Sequence, residues 1–408
     1  MTYQESIDWL YGTQDFGIKL GLEAPRRLLR EFLAFPSSGT KVIHVAGTNG
    51  KGSTCAILDS LARASAIKSG LFTSPHLVHY RERAQVNGLP ISEKKTARLL
   101  DELKNLVADW DHHPTFFELT LALAMRHFRD EKCELIILET GMGGRLDATS
   151  AVPADLAILT PIALDHAKWL GDSIEEIAAE KAAIAVSKKP LLSSAQDPAA
   201  QYVIEQEANE KRSPLTFVTE PLLGYTVNLP GPHQRHNAAL ACEAFCQAGY
   251  ALTYDLVVNA MATVRWPGRF EIITGPDRAA PLVLDAAHNP HAALALRDTW
   301  QEFFPKEKTT LIFGAVADKD VKAVLKTLAP LSETIHFVPV PSPRSLAPED
   351  LAKLLPENTS HTSHPDLETA LQATAADKTP TLLTGSLFLL GQAKALLEND
   401  FTYKSTSQ

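Results

Sequence analysis

Between the apolar run Val42-Ile43-His44-Val45-Ala46 and a stretch with helix-spaced apolar residues stands Gly47-Thr48-Asn49-Gly50-Lys51-Gly52-Ser53-Thr54. Glycines let the backbone turn tightly enough for its N–H groups to point inward at an anion. A following helix adds partial positive charge at its N-terminus. Lys51 is placed to reach outer phosphates, and Ser53 or Thr54 to offer a hydroxyl to Mg²⁺. The pattern departs from G-x-x-x-x-G-K-[ST], because Gly52 intervenes before the hydroxyl residue and the first glycine is nearer. An ordinary strand-to-helix turn with an exposed lysine is the plainer alternative. Strand before, helix after, lysine and hydroxyls coincide here, and together they favour nucleotide phosphates.

Other candidates follow short apolar runs. Glu139 ends the run 135–138, where an open parallel sheet collects its ligands, and a carboxylate there suits Mg²⁺. Asp165-His166 lies beyond the run 156–159, although a lone histidine is more often a surface or core residue. Lys181 sits within Ala179-Glu180-Lys181-Ala182-Ala183, where spacing alone reads it as one charged residue on a helix. Asp285-Ala286-Ala287-His288-Asn289-Pro290 follows another strand-like run, and Arg269 is a fixed cation beside the breaker pair Pro267-Gly268. The stretch opening at Gly231-Pro232-His233 reads as a helix start. Gly141-Met142-Gly143-Gly144 fails as a dinucleotide fingerprint, since Leu146 stands at the third glycine position.

These residues need elements to position them. Residues 1–40 read as mostly helical, with Leu28, Leu29 and Phe32 as an apolar stripe. Helices are expected over 53–66, 93–108, 117–129 and 173–186, and strands over 42–46, 70–73, 135–138, 156–159 and 190–193. Asn87-Gly88 carries a hairpin signal. The alternation predicts an α/β fold: an N-terminal P-loop ATPase-type domain with a mainly parallel sheet, and a smaller C-terminal Rossmann-like α/β domain. The boundary falls at Trp266-Pro267-Gly268, giving domains of 1–266 and 267–408. The second is expected to hold strands over 270–274, 281–285, 309–315, 334–340 and 380–384, with helices including 291–303 and 387–397.

Lys plus Arg number 39 against 48 Asp plus Glu, a net charge of −9, which argues against a bulk nucleic-acid binder. A local anion site remains compatible with that balance. Neither a membrane span nor a signal peptide is expected. The four cysteines, Cys55, Cys133, Cys242 and Cys246, lack zinc spacing, and the chain reads as cytoplasmic. A monomer is the default expectation.

Taken in order, these segments resemble the folylpolyglutamate synthase/dihydrofolate synthase family of the Mur-ligase-like superfamily. The resemblance runs from the stretch 44–54, whose Gly-Thr-Asn-Gly-Lys-Gly-Ser form includes the intervening Gly52, through Thr73-Ser74-Pro75-His76-Leu77 and Tyr80-Arg81-Glu82-Arg83. It continues through Phe116-Phe117-Glu118, the stretch 139–149, Asp165-His166, the stretch 177–184, Asn237, Gly268-Arg269 and Asp285 to His291. Ala183 and Ser150 stand where the family commonly has Gly and Asn.

The resemblance implies an ATP-dependent ligase that adds L-glutamate to dihydropteroate, to a reduced folate, or to both, through an acyl phosphate. It implies that Gly47, Thr48, Asn49, Gly50, Lys51, Gly52, Ser53 and Thr54 cradle the ATP phosphates, with Asn237, Arg269 and Asp285 contacting the nucleotide. Two Mg²⁺ sites would draw on Ser53, Ser74, Glu139, His166 and Lys181, the last carbamylated. Lys51, His166, Lys181 and His288 would serve catalysis, and Phe117, Arg145, Asp147 and Ala148 would meet the pterin substrate. Lys51, Arg145 and Arg269 are expected to make the cleft locally cationic. Two rivals are a Mur-type ligase acting on another carboxylate and a P-loop NTPase switch. With the phosphate loop starting near residue 47, a nucleotide-sugar domain before it is not expected, and no Asn-Lys-x-Asp base-recognition run is present.

Overall fold

The computed structural model describes residues 1–17, 21–276, 278–356 and 359–398. Among the described residues the strands form two sheets. The first is built from β1 (Lys41–Ala46), β2 (Ser69–Phe72), β3 (Ala84–Val86), β4 (Leu89–Pro90), β5 (Leu135–Glu139), β6 (Leu156–Leu159), β7 (Leu191–Ser194) and β8 (Leu215–Val218). Its order is β4-β3-β2-β5-β1-β6-β7-β8. All pairings from β2 to β8 are parallel, and only the β2–β3–β4 edge is antiparallel. The second sheet holds β9 (Glu271–Ile273), β10 (Leu282–Leu284), β11 (Thr309–Phe313), β12 (Ser332–Phe337), β13 (His361–Ser363) and β14 (Thr381–Thr384), ordered β13-β12-β11-β14-β10-β9. It too is parallel except at its β9 edge.

The central strands are apolar on both faces because helices cover both. In β1, Val42 packs toward the N-terminal helices and the Phe116–Asp130 helix. Ile43 and Val45 pack against the Lys51–Ala64 helix and its neighbours, Pro232–Gln247 and Tyr254–Thr263. A continuous Val/Ile/Leu run is what burial on two faces selects. In the second sheet Phe270, Trp300 and Phe304 form an aromatic nucleus, with Trp300 and Phe304 ring centroids 4.6 Å apart. Such pairs add about 0.5–1.5 kcal/mol beyond area burial.

Most expected elements appear, with shifted ends. The phosphate-loop helix starts at Lys51 rather than 53, because Gly50 at φ 89° turns the chain and the next residue is already helical. A Thr115/Glu118 capping box starts the helix expected over 117–129 at Phe116. The helix expected over 173–186 is Ile174–Ala182, followed by turns. The helix Pro198–Lys211 and strands β8 and β13 were not anticipated; β8 is half-buried throughout and β13 exposed, so neither carries a strong apolar signal.

Candidate active site

β1 lies between β5 and β6, both later in the chain, so the sheet order reverses beside it. Crevices for ligands open at the carboxyl ends of strands at such a point. The loops leaving β1, β5 and β6 carry Gly47–Gly50, Thr140–Asp147 and Thr160–His166. Across from them, the loops after β10, β11 and β14 of the second sheet close a cleft of about 1070 Å³.

The floor of the cleft is the phosphate loop, with Gly47, Thr48, Asn49, Gly50, Lys51, Gly52 and Ser53 all lining it. Thr54 does not line it: it is fully buried in the first turn of the helix, its Oγ1 without a hydrogen-bond partner among the described residues. Lys51 Nζ donates to Gly47 O at 3.2 Å and Thr48 O at 3.3 Å, so the ammonium folds back over its own loop. Thr48 Oγ1 donates to Ala163 O at 3.0 Å, joining the β1 and β6 loops. Two glycines permit close approach: a Cβ on Gly50 would press on Asn237 Oδ1, and one on Gly52 on the Trp266 indole.

Beside the loop stand four groups from four segments. Glu139, at the end of β5, is buried, and one carboxylate oxygen accepts from the Ser74 N–H at 3.1 Å. Burial raises its carboxyl above the ordinary range, while the Lys51 charge and the Ser74 N–H pull the other way. Ser74 Oγ is buried with no partner among the described residues. An unsatisfied buried hydroxyl is costly, so this one fits a group that the site is built to receive. His166 holds a left-handed backbone, φ 54°. The residue as a whole is exposed, but partial burial of its ring in the cleft, and then the Lys319 charge, lower its imidazole to about 4, so it can offer a lone pair. Lys181, 4% exposed, donates to Gly47 O at 2.9 Å. Burial, then the neighbouring Lys51 charge, lower its ammonium to about 7.

The four residues expected to meet the pterin differ from one another in position. Phe117 lines the cleft, its ring 5.7 Å from Phe72. Asp147 is a structural anchor as well as a cleft residue: one oxygen accepts from the Gly141 and Met142 N–H groups at 2.9 Å, the other from Thr149. Ala148 lines the wall. Arg145 does not. Its guanidinium pairs with Glu180 at 2.9 Å, donates to Ala179 O, and stands 46% exposed outside the cleft. The expectation that Arg145 adds charge to the cleft therefore departs from its position here. The helix carrying Glu180 captures the side chain and turns it away from the cleft.

From the second sheet, Asp285 follows β10 and lines the cleft, its two oxygens accepting from Phe270 N and Ala287 N at 2.9 Å each. Arg269 and His288 line it as well, with His288 Nδ1 2.8 Å from Ala286 O. Asn237, near the start of the Pro232–Gln247 helix, donates to Gln234 Oε1 at 3.0 Å.

Sequence reasoning did not single out Lys319, Asn289, Trp266 or Gln234, all close to this cleft or lining it. Lys319 could have been found: Asp318-Lys319-Asp320 is a charged run just after a buried strand, where a parallel sheet presents its ligand-facing loop.

Comparisons with known proteins follow the same segments. Residues 45–221 match the Mur ligase middle domain, and residues 268–387 the Mur ligase, glutamate ligase domain. A dihydrofolate synthase/folylpolyglutamate synthase from Bacillus subtilis is 32% identical, covering 97% of this chain and 99% of that protein. Its Escherichia coli counterpart is also 32% identical, covering 96% and 94%. Among solved structures, E. coli FolC in complex with DHPP and ADP superposes with a TM-score of 0.86 at 31% identity, covering 97% and 98%. A bifunctional folylpolyglutamate synthase/dihydrofolate synthase with Mn, AMPPNP and L-glutamate bound gives 0.84 at 28% identity, covering 96% and 98%.

Proposed function

The chain belongs to the dihydrofolate synthase/folylpolyglutamate synthase family, and from that premise we propose how its cleft works as an ATP-dependent carboxylate–amine ligase. Its substrates are ATP, L-glutamate and a folate-type acceptor, dihydropteroate or a reduced folate or both. The observation that carries this reading is the meeting of a phosphate loop, Ser74, Glu139, His166 and Lys181 in one cleft between the carboxyl ends of two sheets.

The chemistry has an electrostatic problem at its centre. A carboxylate must attack the γ-phosphate, and both are anions. Lys51 and Arg269, both lining the cleft, supply positive charge, and the N–H groups from Gly47 to Ser53 hold the phosphates still. Positioning and charge stabilisation of this kind carry most of the acceleration in phosphoryl transfer. As the carboxylate oxygen bonds to the γ-phosphorus, the bond to the β–γ bridging oxygen breaks and ADP leaves with that electron pair. The glutamate amine then attacks the carbonyl of the acyl phosphate; the C–N bond forms, phosphate leaves with its electron pair, and the amine's surplus proton goes to water. The second sheet domain, read as 267–408, roofs the cleft and keeps water from the acyl phosphate. His288 and Asp285 stand on that roof.

Mg²⁺ fits the donor set: a buried carboxylate, an orphaned buried hydroxyl, a neutral imidazole and Ser53 at the helix start. Bound there, it would neutralise phosphate charge as a Lewis acid. Two sites are proposed, Ser53, Ser74 and Glu139 serving one, His166 and a modified Lys181 the other. A buried amine held near 7 is substantially neutral at pH 7, which is what addition to CO₂ requires: the nitrogen lone pair forms the N–C bond and a proton goes to water. The carbamate replaces a cation with anionic oxygens, the ligands that hard divalent ions take. Phe117, Asp147 and Ala148 are assigned to the pterin wall, Asn237, Asp285 and Arg269 to the nucleotide. An omission assay tests the reading. ADP release should require both glutamate and acceptor, and fast ATP hydrolysis with neither would overturn it in favour of a P-loop NTPase switch.

A further inference from the structure

The two sheet domains touch across the cleft through an unusual polar knot. Asp165, in the β6 loop next to His166, forms an ion pair with Lys319 of the β11 loop, and these side chains are only 6% and 10% exposed. Its second oxygen accepts from Asn289 Nδ2 at 3.1 Å and lies 3.6 Å from His288 Nε2. Asn289 also exchanges hydrogen bonds with Asn49 of the phosphate loop: Asn49 Nδ2 to Asn289 Oδ1 at 3.1 Å, and Asn289 Nδ2 to Asn49 Oδ1 at 3.0 Å. Asn49 Nδ2 also lies 3.0 Å from His291 Nδ1.

We propose that Asp165–Lys319 and Asn49–Asn289 form a two-point latch that docks the second domain onto the phosphate loop. Lys319 and Asn289 are then positioning residues for ligation. Both oxygens of Asp165 are engaged by this latch and by its neighbour's backbone, since Oδ1 also accepts from the His166 N–H at 2.8 Å. Asp165 is thus a connector between His166 and the roof. Asn289 does double duty. Its Oδ1 caps the Pro290–Phe303 helix by accepting from Ala292 N at 2.8 Å, while its Nδ2 reaches across the cleft. The orientation of that helix is thereby tied to the loop that meets the phosphates. A buried ion pair whose partner is removed leaves an uncompensated charge, so loss of Lys319 favours separation of the domains and rehydration of Asp165.

The inference rests on the cleft being the ATP site, and the experiment separates the two. Spin labels at Tyr202→Cys and Lys353→Cys, exposed positions in different domains, report the interdomain distance in a Cys242→Ser, Cys246→Ser background. Lys319→Met and Asn289→Asp, which keeps the helix cap but faces Asp165 with a second carboxylate, should lengthen or broaden that distance. Each should lower kcat by about tenfold or more, within the usual range of coupling between sites. Lys319→Arg should restore both readouts. An unchanged distance distribution in both variants overturns the latch whatever the activity does. A changed distance with kcat within twofold of the parent overturns its role in ligation. If the parent fails to bind ADP, the reading of the cleft fails, while the distance comparison still decides the latch.

Discussion

Lys181 donates to the carbonyl of Gly47 at 2.9 Å, so a buried amine from one helix rests against the first glycine of the phosphate loop. Spacing in the sequence reads this residue as one charge on a helix face. Folding places it under the loop, excludes water from it and brings the Lys51 charge near it. These effects favour the neutral amine.

That amine should take up CO₂. Carbon-13-labelled bicarbonate should give a carbamate resonance in the parent protein and none in Lys181→Ala. Lys181→Ala should lose product formation by about a hundredfold or more, as loss of an oriented group at a phosphoryl-transfer site does, and short carboxylic acids should recover part of it. A fully active Lys181→Ala protein removes the residue from the site.

The same shift makes stability depend on pH. In the unfolded chain the amine keeps its proton up to the ordinary 10.5, whereas in the folded chain it releases it near 7. Below about 7 the folded state carries the full penalty of a buried cation. As pH rises from about 7 to about 10.5 the unfolded state holds more protons, and stability rises. Urea unfolding in CO₂-free buffer should therefore show Lys181→Met gaining most over the parent near pH 6 and least near pH 9. A pH-independent difference would contradict the assignment.

Glu139 and the orphaned Ser74 hydroxyl are assigned to a divalent ion. Glu139→Gln keeps an acceptor for the Ser74 N–H but removes the charge. With ADP present, Mn²⁺ affinity should fall by about tenfold or more. Equal affinity in the two proteins would move the metal elsewhere.

Gly47 has φ 144°, and a Cβ there would collide with Thr160 Oγ1. Gly47→Ala should displace the loop and abolish ADP binding in calorimetry. Conformational strain of this kind costs about 1–3 kcal/mol, so the rest of the fold should survive and keep its circular dichroism. Retained ADP affinity would show the loop is not the phosphate cradle.

Much of this was legible in the residues. The strand–glycine–lysine–helix order located the loop because its cause is local: backbone geometry and a helix start. Glu139 and Asp285 were visible because a carboxylate ending a buried strand has few other reasons to be there. Lys181 became noticeable only through resemblance, since its burial comes from contacts 134 residues away in sequence. Arg145 stands outside the cleft for the converse reason, a partner on another helix that the sequence does not reveal. Lys319 and Asn289 matter through contacts 154 and 240 residues distant. The −9 balance fixes only the sum of the charges; a local cleft lined by Lys51, Arg269 and Lys319 is compatible with that total.

Carboxylate activation by ATP is the central claim, and the fate of one oxygen atom tests it most directly. The acceptor, dihydropteroate or a reduced folate, is prepared with heavy oxygen in its carboxylate and incubated with ATP, Mg²⁺ and L-glutamate. Attack on the γ-phosphate followed by amine attack on the carbonyl transfers one labelled oxygen to inorganic phosphate, in equal amount to the glutamyl product. Phosphate that carries only solvent oxygen, or that is released without glutamyl product, would contradict the account.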